Sequence, residues 1–255
     1  ALPLKAVELP SDKPENLGMS SGRLARIDSV IGGYIADGRV AGTVSLVMRR
    51  GKVVYFKTHG MLDREKNVPM TRDAIFRICS MSKPITSVAV MMLYEEGRFM
   101  LNDPVSKYLP EFRNPRVLKK TASGETYTVP AENEITIRHL LTHTSGIEYH
   151  WNPDLGPIYQ KNEIGNGIKK ETLDLAESVR RLAGLPLLFN PGERFEYGLN
   201  VDVLGRLVEV VSGMSFDRFL QTRIFGPLDM TDTQFFIPDN KLARLAAVYT
   251  WYDGK

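Results

Sequence analysis

The feature that most constrains the fold is an abrupt change of hydrophobic period at Lys83. Before it, residues 74–78 form a short apolar run typical of a strand. After it, apolar side chains recur at helical spacing, at Ile85, Val88, Ala89, Met92 and Leu93. Pro84 is accepted in the first turn of a helix. The pattern therefore predicts a strand that leads into a helix beginning almost at Ser80.

Strand and helix patterns are distributed unevenly along the rest of the chain. Residues 43–49 and 53–57 alternate as strands and are joined at Arg50-Gly51, which predicts a hairpin. Another strand-like run comes only at residues 246–251. We therefore expect an α+β protein, in which an antiparallel sheet flanked by helices is accompanied by an all-helical lobe.

Helix caps and apolar spacing divide the chain further. Residues 1–80 are expected to form an N-terminal arm, a helix and the first strands, and residues 81–235 the helix that begins near Ser80 and the helical lobe. Residues 236–255 are expected to return to the sheet. The helices predicted within the lobe cover residues 136–141, 173–182, 200–212 and 215–223. One hairpin and one late strand would leave an open edge, so we expect the protein to continue beyond residue 255 with further C-terminal strands.

Composition argues against a nucleic-acid partner and a membrane span. The 33 basic and 30 acidic side chains leave a net charge of only +3, and both signs are mixed along the chain. No apolar run approaches the length of a transmembrane helix. Because the chain begins with Ala1 and a signal peptide could have been removed, a cytoplasmic and a periplasmic or secreted location both stay open. The oligomeric state is not readable from the sequence.

Cys79 is the only cysteine, so an intrachain disulfide and a cysteine-rich metal site are excluded. Its apolar neighbours favour a small buried hydrophobe over a reactive thiol. His139 and His143 have the spacing of a metal pair, but no Glu lies between them as in His-Glu-x-x-His. We therefore predict no metal, and interpret both histidines as structural residues or as supports of the site.

The chemistry indicated by the sequence is nucleophilic, and it centres on a Ser-x-x-Lys at residues 80–83. Three residues are nearly one helical turn, so Ser80 and Lys83 can share a face. A serine hydroxyl needs a base within hydrogen-bonding distance, and a partly desolvated lysine can serve. The tetrapeptide alone is a weak signal, since a capping serine followed by a surface lysine gives the same pattern. Residues 18–22 match Gly-x-Ser-x-Gly, but no buried strand precedes them, which favours a helix cap.

The segment around Ser80 resembles the nucleophile segment of the serine β-lactamase-like superfamily, and more closely that of the class C β-lactamase-related family VIII carboxylesterases. The resemblance continues in family order over about residues 22–235. It is carried by FRICSMSKPIT at 76–86, LNDPV at 101–105, YLPEF at 108–112, ITIRHLLTHTSG at 135–146, PG at 191–192, FEY at 195–197, VLG at 203–205 and GPLDM at 226–230.

The resemblance implies a fold, a site and a reaction. It makes Ser80 the nucleophile, Lys83 its activating partner and Tyr197 the phenol that relays protons, with no cofactor. A nearby ammonium favours the phenolate form of a tyrosine, which suits this role. Leu199 and Asn200, which follow Tyr197, are candidate substrate contacts, and so is Trp151 in a Tyr-His-Trp run after the His-Thr-Ser-Gly segment.

Two departures from the family pattern matter. Class C β-lactamases carry Tyr-x-Asn, whereas Leu199 stands here at the amide position, which argues against efficient β-lactam hydrolysis. Asn200 is one residue too late, and could compensate after a shift of the turn or simply cap a helix. The third motif of the superfamily, on a late strand that supplies an oxyanion donor, does not occur before residue 255.

These observations favour a serine hydrolase that acts on small carboxylic esters through an acyl-enzyme on Ser80. Within the superfamily, the alternatives are a D-amino-acid peptidase or amidase, a weak β-lactamase and an acyltransferase. A penicillin-sensor-like domain, acylated without turnover, is the alternative from another class. The missing third motif also leaves open a chain without catalytic function.

Overall fold

The computed structural model describes residues 9–165 and 173–250, and these residues form two compact units. One unit combines the residues up to 77 with those from 236 onward, and the other spans residues 78–235. Helices and antiparallel strands occur together, so the protein is α+β as expected. Residues 1–8 of the expected arm and Trp251 of the expected last strand lie outside the described residues.

The first unit is built on a small antiparallel sheet with the strand order β1-β2-β3. Its elements are α1 (Ser21–Leu24), α2 (Arg26–Ala36), β1 (Gly42–Arg49), β2 (Lys52–Asp63) and β3 (Val68–Pro69). The predicted hairpin is confirmed: Arg49 pairs with Lys52, and Arg50 and Gly51 both adopt positive φ in the turn.

One carboxylate fastens α2 to the sheet. Asp28 accepts hydrogen bonds from the Tyr55 hydroxyl and the Lys57 ammonium, each at 2.6 Å, and its Oδ1 lies 3.0 Å from His59 Nε2. The Lys57 and Tyr55 hydrogen bonds hold the pKa of Asp28 at about 2. Strand β2 therefore directs polar side chains toward α2, and its other positions contribute apolar side chains to the core.

Two other strand predictions, at residues 74–78 and 246–251, were wrong. Within the described residues, neither 74–78 nor 246–250 forms a strand: Ile75 makes an isolated bridge with Leu245, and Ala246 N–H donates to the Ile75 carbonyl at 2.9 Å. A β-branched apolar run favours extended backbone, but a strand exists only where a neighbouring strand supplies a continuous ladder of hydrogen bonds. The hydrophobic period of a segment does not indicate whether such a neighbouring strand is present.

The second unit contains the main hydrophobic core, in which α3 packs against α7. Its helices are α3 (Ser82–Glu95), α4 (Ile137–Leu141), α5 (Gly156–Lys161), α6 (Leu175–Ala183), α7 (Asn200–Ser212) and α8 (Phe216–Leu220), the last continuing as a π turn over Gln221–Phe225. Strands β4 (Arg116–Lys120) and β5 (Thr126–Pro130) pair antiparallel.

The predicted helices of this unit are confirmed. Thr136 caps α4 by accepting a hydrogen bond from His139 N–H at 3.2 Å, and His139 Nδ1 accepts from Thr136 N–H in return. Helix α7 has the predicted bounds and ends at Gly213, which adopts φ 72°. Ser215 flanks α8 as expected, but its side chain makes no capping hydrogen bond.

The hairpin β4–β5 was not predicted, so the lobe is not all helical. Its strands carry charged and polar side chains on both faces and only Val117 and Leu118 are buried in β4, which leaves no clear alternation to read. The hairpin is anchored by Leu118 N–H, which donates to the Leu187 carbonyl at 2.8 Å. Among the described residues, no helix combines the length and the apolarity that crossing a bilayer requires.

The core of α7 gives a stability test with an internal control. Leu204 is fully buried, whereas Leu228 is 66% exposed. We expect Leu204→Ala to lower the free energy of unfolding by about 2–5 kcal/mol, because it removes buried methyl groups and leaves a cavity. Leu228→Ala makes the same chemical change on the surface and should cost less than about 0.5 kcal/mol in urea titrations. Equal losses would contradict the packing described here.

Candidate active site

Ser80 lies in a tight turn immediately before α3. The turn, Cys79–Met81, is a single stretch of 3-10 helix, and Cys79 enters it with φ 44°, a left-handed conformation that is strained for a residue with a β-carbon. Ser80 is exposed, and Lys83 follows in the first turn of α3. The Lys83 ammonium donates a hydrogen bond to Ser80 Oγ at 3.3 Å. Where the sequence predicted a strand leading into a helix, the chain therefore has the single bridge residue Ile75, followed by a strained turn at Cys79.

Tyr197 reaches Ser80 from the segment that precedes α7. Its hydroxyl donates to Ser80 Oγ at 2.7 Å, and the Lys83 ammonium lies 4.5 Å from the centre of its ring. The segment can approach because Gly198 packs directly on the backbone, where an added β-carbon would lie 2.1 Å from the Ile147 carbonyl oxygen. All three residues predicted to be catalytic therefore meet within the second unit.

Tyr149 is a partner of Lys83 that the sequence reasoning did not identify. It is buried, and the Lys83 ammonium donates to its hydroxyl at 3.3 Å. Its ring centre lies 5.6 Å from that of Tyr197. The only signal in the sequence was its position shortly after the His-Thr-Ser-Gly segment, in the Tyr-His-Trp run from which Trp151 was taken as a candidate substrate contact.

The site favours an ammonium on Lys83. Burial opposes the charge, but hydrogen bonds with Tyr197 and Tyr149 outweigh it and raise the pKa of Lys83 above its ordinary value. A lysine acting as the base needs the opposite shift. The expectation that Lys83 itself removes the serine proton is therefore not favoured by its surroundings.

The two phenols differ in their ease of ionisation. Burial raises the pKa of Tyr197, but hydrogen bonds with Lys83 and Ser80 outweigh it, so the net shift is downward. Tyr149 is more deeply buried, and this desolvation raises its pKa despite the Lys83 ammonium. Tyr197 is thus the phenol better suited to accept a proton from Ser80.

The three candidate substrate contacts fall in different places. Trp151 is 57% exposed and stacks on Tyr149 with ring centres 4.1 Å apart, so it lies beside the site. Leu199 is buried, and its backbone N–H donates to the Glu148 carbonyl. Asn200 is fully buried within α7 and bonds to protein groups. Asn200 therefore has no surface to offer a substrate, and Leu199 has almost none.

The remaining sequence interpretations have mixed outcomes. Cys79 is exposed, so the expected burial was wrong: the left-handed turn directs the residue away from the core. His139 belongs to the cap of α4, and His143 stacks on Tyr197 with ring centres 5.0 Å apart. Across residues 9–165 and 173–250, no three side chains of His, Cys, Asp or Glu come together as a metal site would require.

Comparison with known proteins shows which family the chain belongs to. The sequence model of the family described as Beta-lactamase matches residues 27–255. The chain belongs to the β-lactamase family. Among curated relatives of this family, esterase EstB of Burkholderia gladioli is 39% identical over 91% of this chain and 55% of its own length.

Solved structures place the chain in the same fold. EstCE1, described as a hydrolase with promiscuous acyltransferase activity, matches with a TM-score of 0.78 and 36% identity, over 89% of this chain and 56% of its own. The simvastatin synthase LovD from Aspergillus terreus matches with a TM-score of 0.73 and 27% identity, over 89% of this chain and 58% of its own. The chain spans somewhat more than half the length of these β-lactamase-fold relatives.

The close approach at Gly198 can be tested directly. Gly198→Ala should push the Tyr197 segment away from Ile147 and lower the rate of fluorophosphonate labelling of Ser80 by about ten-fold or more, because a displacement of about 1 Å is costly in a reacting site. Gly184→Ala is the control, since its added β-carbon would lie 3.5 Å from the Arg181 carbonyl oxygen at an ordinary negative φ. Similar labelling rates in both variants would contradict the geometry.

Proposed function

We propose that the protein is a serine hydrolase that acts on carboxylic esters through an acyl-enzyme on Ser80. The observation that carries the proposal is the 2.7 Å hydrogen bond between the Tyr197 hydroxyl and Ser80 Oγ, beside an ammonium that also contacts Ser80. A nucleophile, a proton acceptor and a group that tunes the acceptor are thereby within bonding distance of one another.

Acylation begins from the Tyr197 phenolate, which the Lys83 ammonium stabilises. Tyr197 takes the hydroxyl proton as Ser80 Oγ attacks the ester carbonyl carbon, and the carbonyl oxygen becomes an oxyanion. Collapse of this tetrahedral intermediate breaks the bond to the alkoxy oxygen, which leaves as the alcohol after it receives the proton from Tyr197. Lys83 keeps its proton throughout, in accordance with its raised pKa.

Deacylation repeats these steps with water as the nucleophile. Tyr197, again a phenolate, takes a proton from water, and the resulting hydroxide attacks the acyl carbon. The bond to Ser80 Oγ breaks, the acid is released, and Tyr197 returns the proton to the serine. An alcohol that binds in place of water would give a new ester by the same sequence.

The surroundings of Tyr197 support esters over β-lactams. Leu199 occupies the position where the resemblance to class C β-lactamases would require an amide, and its side chain is buried. EstB is named an esterase, and EstCE1 is described as a hydrolase. Trp151, exposed on the ring of Tyr149, offers an apolar surface for the acyl or the alcohol part of the substrate.

Acyl transfer to an alcohol is the second candidate function. Two relatives favour it: EstCE1 is described as having promiscuous acyltransferase activity, and LovD is named a synthase. Esterase and acyltransferase share the acyl-enzyme and differ in which acceptor reaches it. Added short alcohols, with the ester product measured beside the released acid, would separate them.

The role of Ser80 is tested with p-nitrophenyl acetate and butyrate on the full-length protein. We expect Ser80→Ala to lower kcat at least about 1000-fold, because the covalent path is lost. Ser82→Ala removes a hydroxyl two residues along and should retain the rate. Equal rates in Ser80→Ala and the parent would remove the enzyme proposal, and a single burst of p-nitrophenol without turnover would identify an acylated binding domain instead.

The role of Tyr197 predicts a pH dependence. The phenolate is the active form, so kcat should rise with pH through the lowered pKa of Tyr197 and fall as acid protonates it. Tyr197→Phe should abolish this rise of kcat with pH. It should also lower kcat by about 100- to 10,000-fold. Tyr149→Phe, which removes the other phenol near Lys83, should keep the rise with a smaller loss. A pH profile unchanged in Tyr197→Phe would assign the base elsewhere.

A further inference from the structure

We propose that His143 is a positioning residue for Tyr197, held in its neutral form by a buried relay through Asn200 and Ser145, and that its protonation disables the site. The inference rests on the proposed serine chemistry. It concerns a group that does not touch the reacting atoms but fixes the ring of the residue that does.

His143 supports one face of the Tyr197 ring. The two rings stack with centres 5.0 Å apart and an interplanar angle of 29°, and Phe195 packs against His143 with ring centres 5.9 Å apart. The backbone of His143 is held in the left-handed region at φ 55°, and its carbonyl accepts a hydrogen bond from Glu196 N–H at 2.8 Å. A strained conformation that persists next to a reacting group indicates that its surroundings impose it.

The hydrogen bonds around His143 require an acceptor at Nδ1. Asn200 Nδ2 lies 3.1 Å from His143 Nδ1, and Gly198 N–H points to the same atom at 3.4 Å. A backbone N–H can only donate, so Nδ1 carries no proton. The neutral ring then has its proton on Nε2.

The orientation of the Asn200 amide is fixed from its other side. Ser145 Oγ accepts from Ile147 N–H at 3.1 Å and donates its own proton to Asn200 Oδ1 at 2.5 Å. Asn200 Nδ2 also faces the Ile147 carbonyl at 3.5 Å, which needs a donor. Ser145 and Asn200 are fully buried, so water cannot exchange with these groups. The relay therefore presents an N–H to His143 and excludes the flipped amide.

Protonation of His143 would break this arrangement. A proton on Nδ1 would face the N–H groups of Asn200 and Gly198, and both hydrogen bonds would be lost. Among the groups around the His143 ring, the charged one is the Lys83 ammonium of α3. Tyr197, from the segment before α7, and Asn200 of α7 also face the ring, and Asn200 is neutral. Burial and the Lys83 charge lower the pKa of His143. The imidazolium would also face the Lys83 ammonium, and the ring that stacks on Tyr197 would lose the hydrogen bonds that orient it.

Asn200→Asp tests the relay with a nearly isosteric change. A carboxylate in place of the amide would accept from Nδ1–H and favour the imidazolium. We expect kcat at pH 7 to fall about ten-fold with KM changed less than about two-fold. A separate acid limb, which the titration of His143 adds to that of Tyr197, should move up by about one pH unit. A purely structural role for Asn200 would lower kcat at every pH without moving the limb, and that result would overturn the proposal.

His143→Phe keeps an aromatic ring but cannot ionise, and together with Asn200→Asp it forms a double-mutant cycle. The upward shift caused by Asn200→Asp should vanish in the double variant, and a shift that persists would show that another group titrates. His139→Gln is the matched control, because His139 is also partly buried but lies in the α4 cap; it should leave the limb in place. Thermal unfolding confirms that each variant is folded at the assay temperature.

The nitrogen chemical shifts of His143 give a readout that needs neither a variant nor turnover. In the full-length protein at pH 7 we expect the neutral ring with its proton on Nε2. An Nδ1–H tautomer or an imidazolium at that pH would overturn the relay. Absence of ester turnover in the parent protein would instead remove the proposed serine chemistry while leaving the tautomer measurable.

Discussion

The arrangement depends on one ammonium group placed among three hydroxyls. Lys83 Nζ lies 3.3 Å from both Ser80 Oγ and the Tyr149 hydroxyl, and 4.5 Å from the centre of the Tyr197 ring. Each hydroxyl can accept from the ammonium, which compensates for its partial burial. The same contacts that keep Lys83 charged lower the pKa of Tyr197. The charge on Lys83 and the easier ionisation of Tyr197 are therefore two consequences of a single geometry.

That geometry is assembled from distant parts of the chain by backbone contacts. Helix α3 presents Ser80 and Lys83 at its start, while Tyr197 lies just before α7, the helix that packs on α3 in the core. Gly198 permits the direct contact with the Ile147 carbonyl that brings the Tyr197 and Tyr149 segments side by side. The packing of α3 on α7 thus sets the approximate position of the Tyr197 phenol. The absence of a β-carbon at Gly198 allows the final close approach.

The sequence predicted which residues come together better than it predicted their contacts. Spacing and family resemblance pointed to Ser80, Lys83 and Tyr197, which meet in the structure, because a motif preserves residue types in order. Hydrogen-bond partners are not contained in a motif, so Asn200 was taken for a substrate contact although it is buried against His143 and Ser145. Likewise, helices were predicted well from local caps and apolar spacing, whereas β4 and the run at 74–78 depended on partner strands that local sequence does not specify.

The relay behind Tyr197 illustrates why a buried polar network belongs at such a site. A ring packed only by apolar side chains could rock or shift with little loss of energy. A buried amide that must satisfy Ser145, Ile147 and His143 together has one acceptable arrangement, since leaving a buried donor or acceptor unpaired costs roughly 1–3 kcal/mol. That cost is large beside the thermal energy, so the network holds the His143 ring, and through it the Tyr197 hydroxyl, within hydrogen-bonding distance of Ser80.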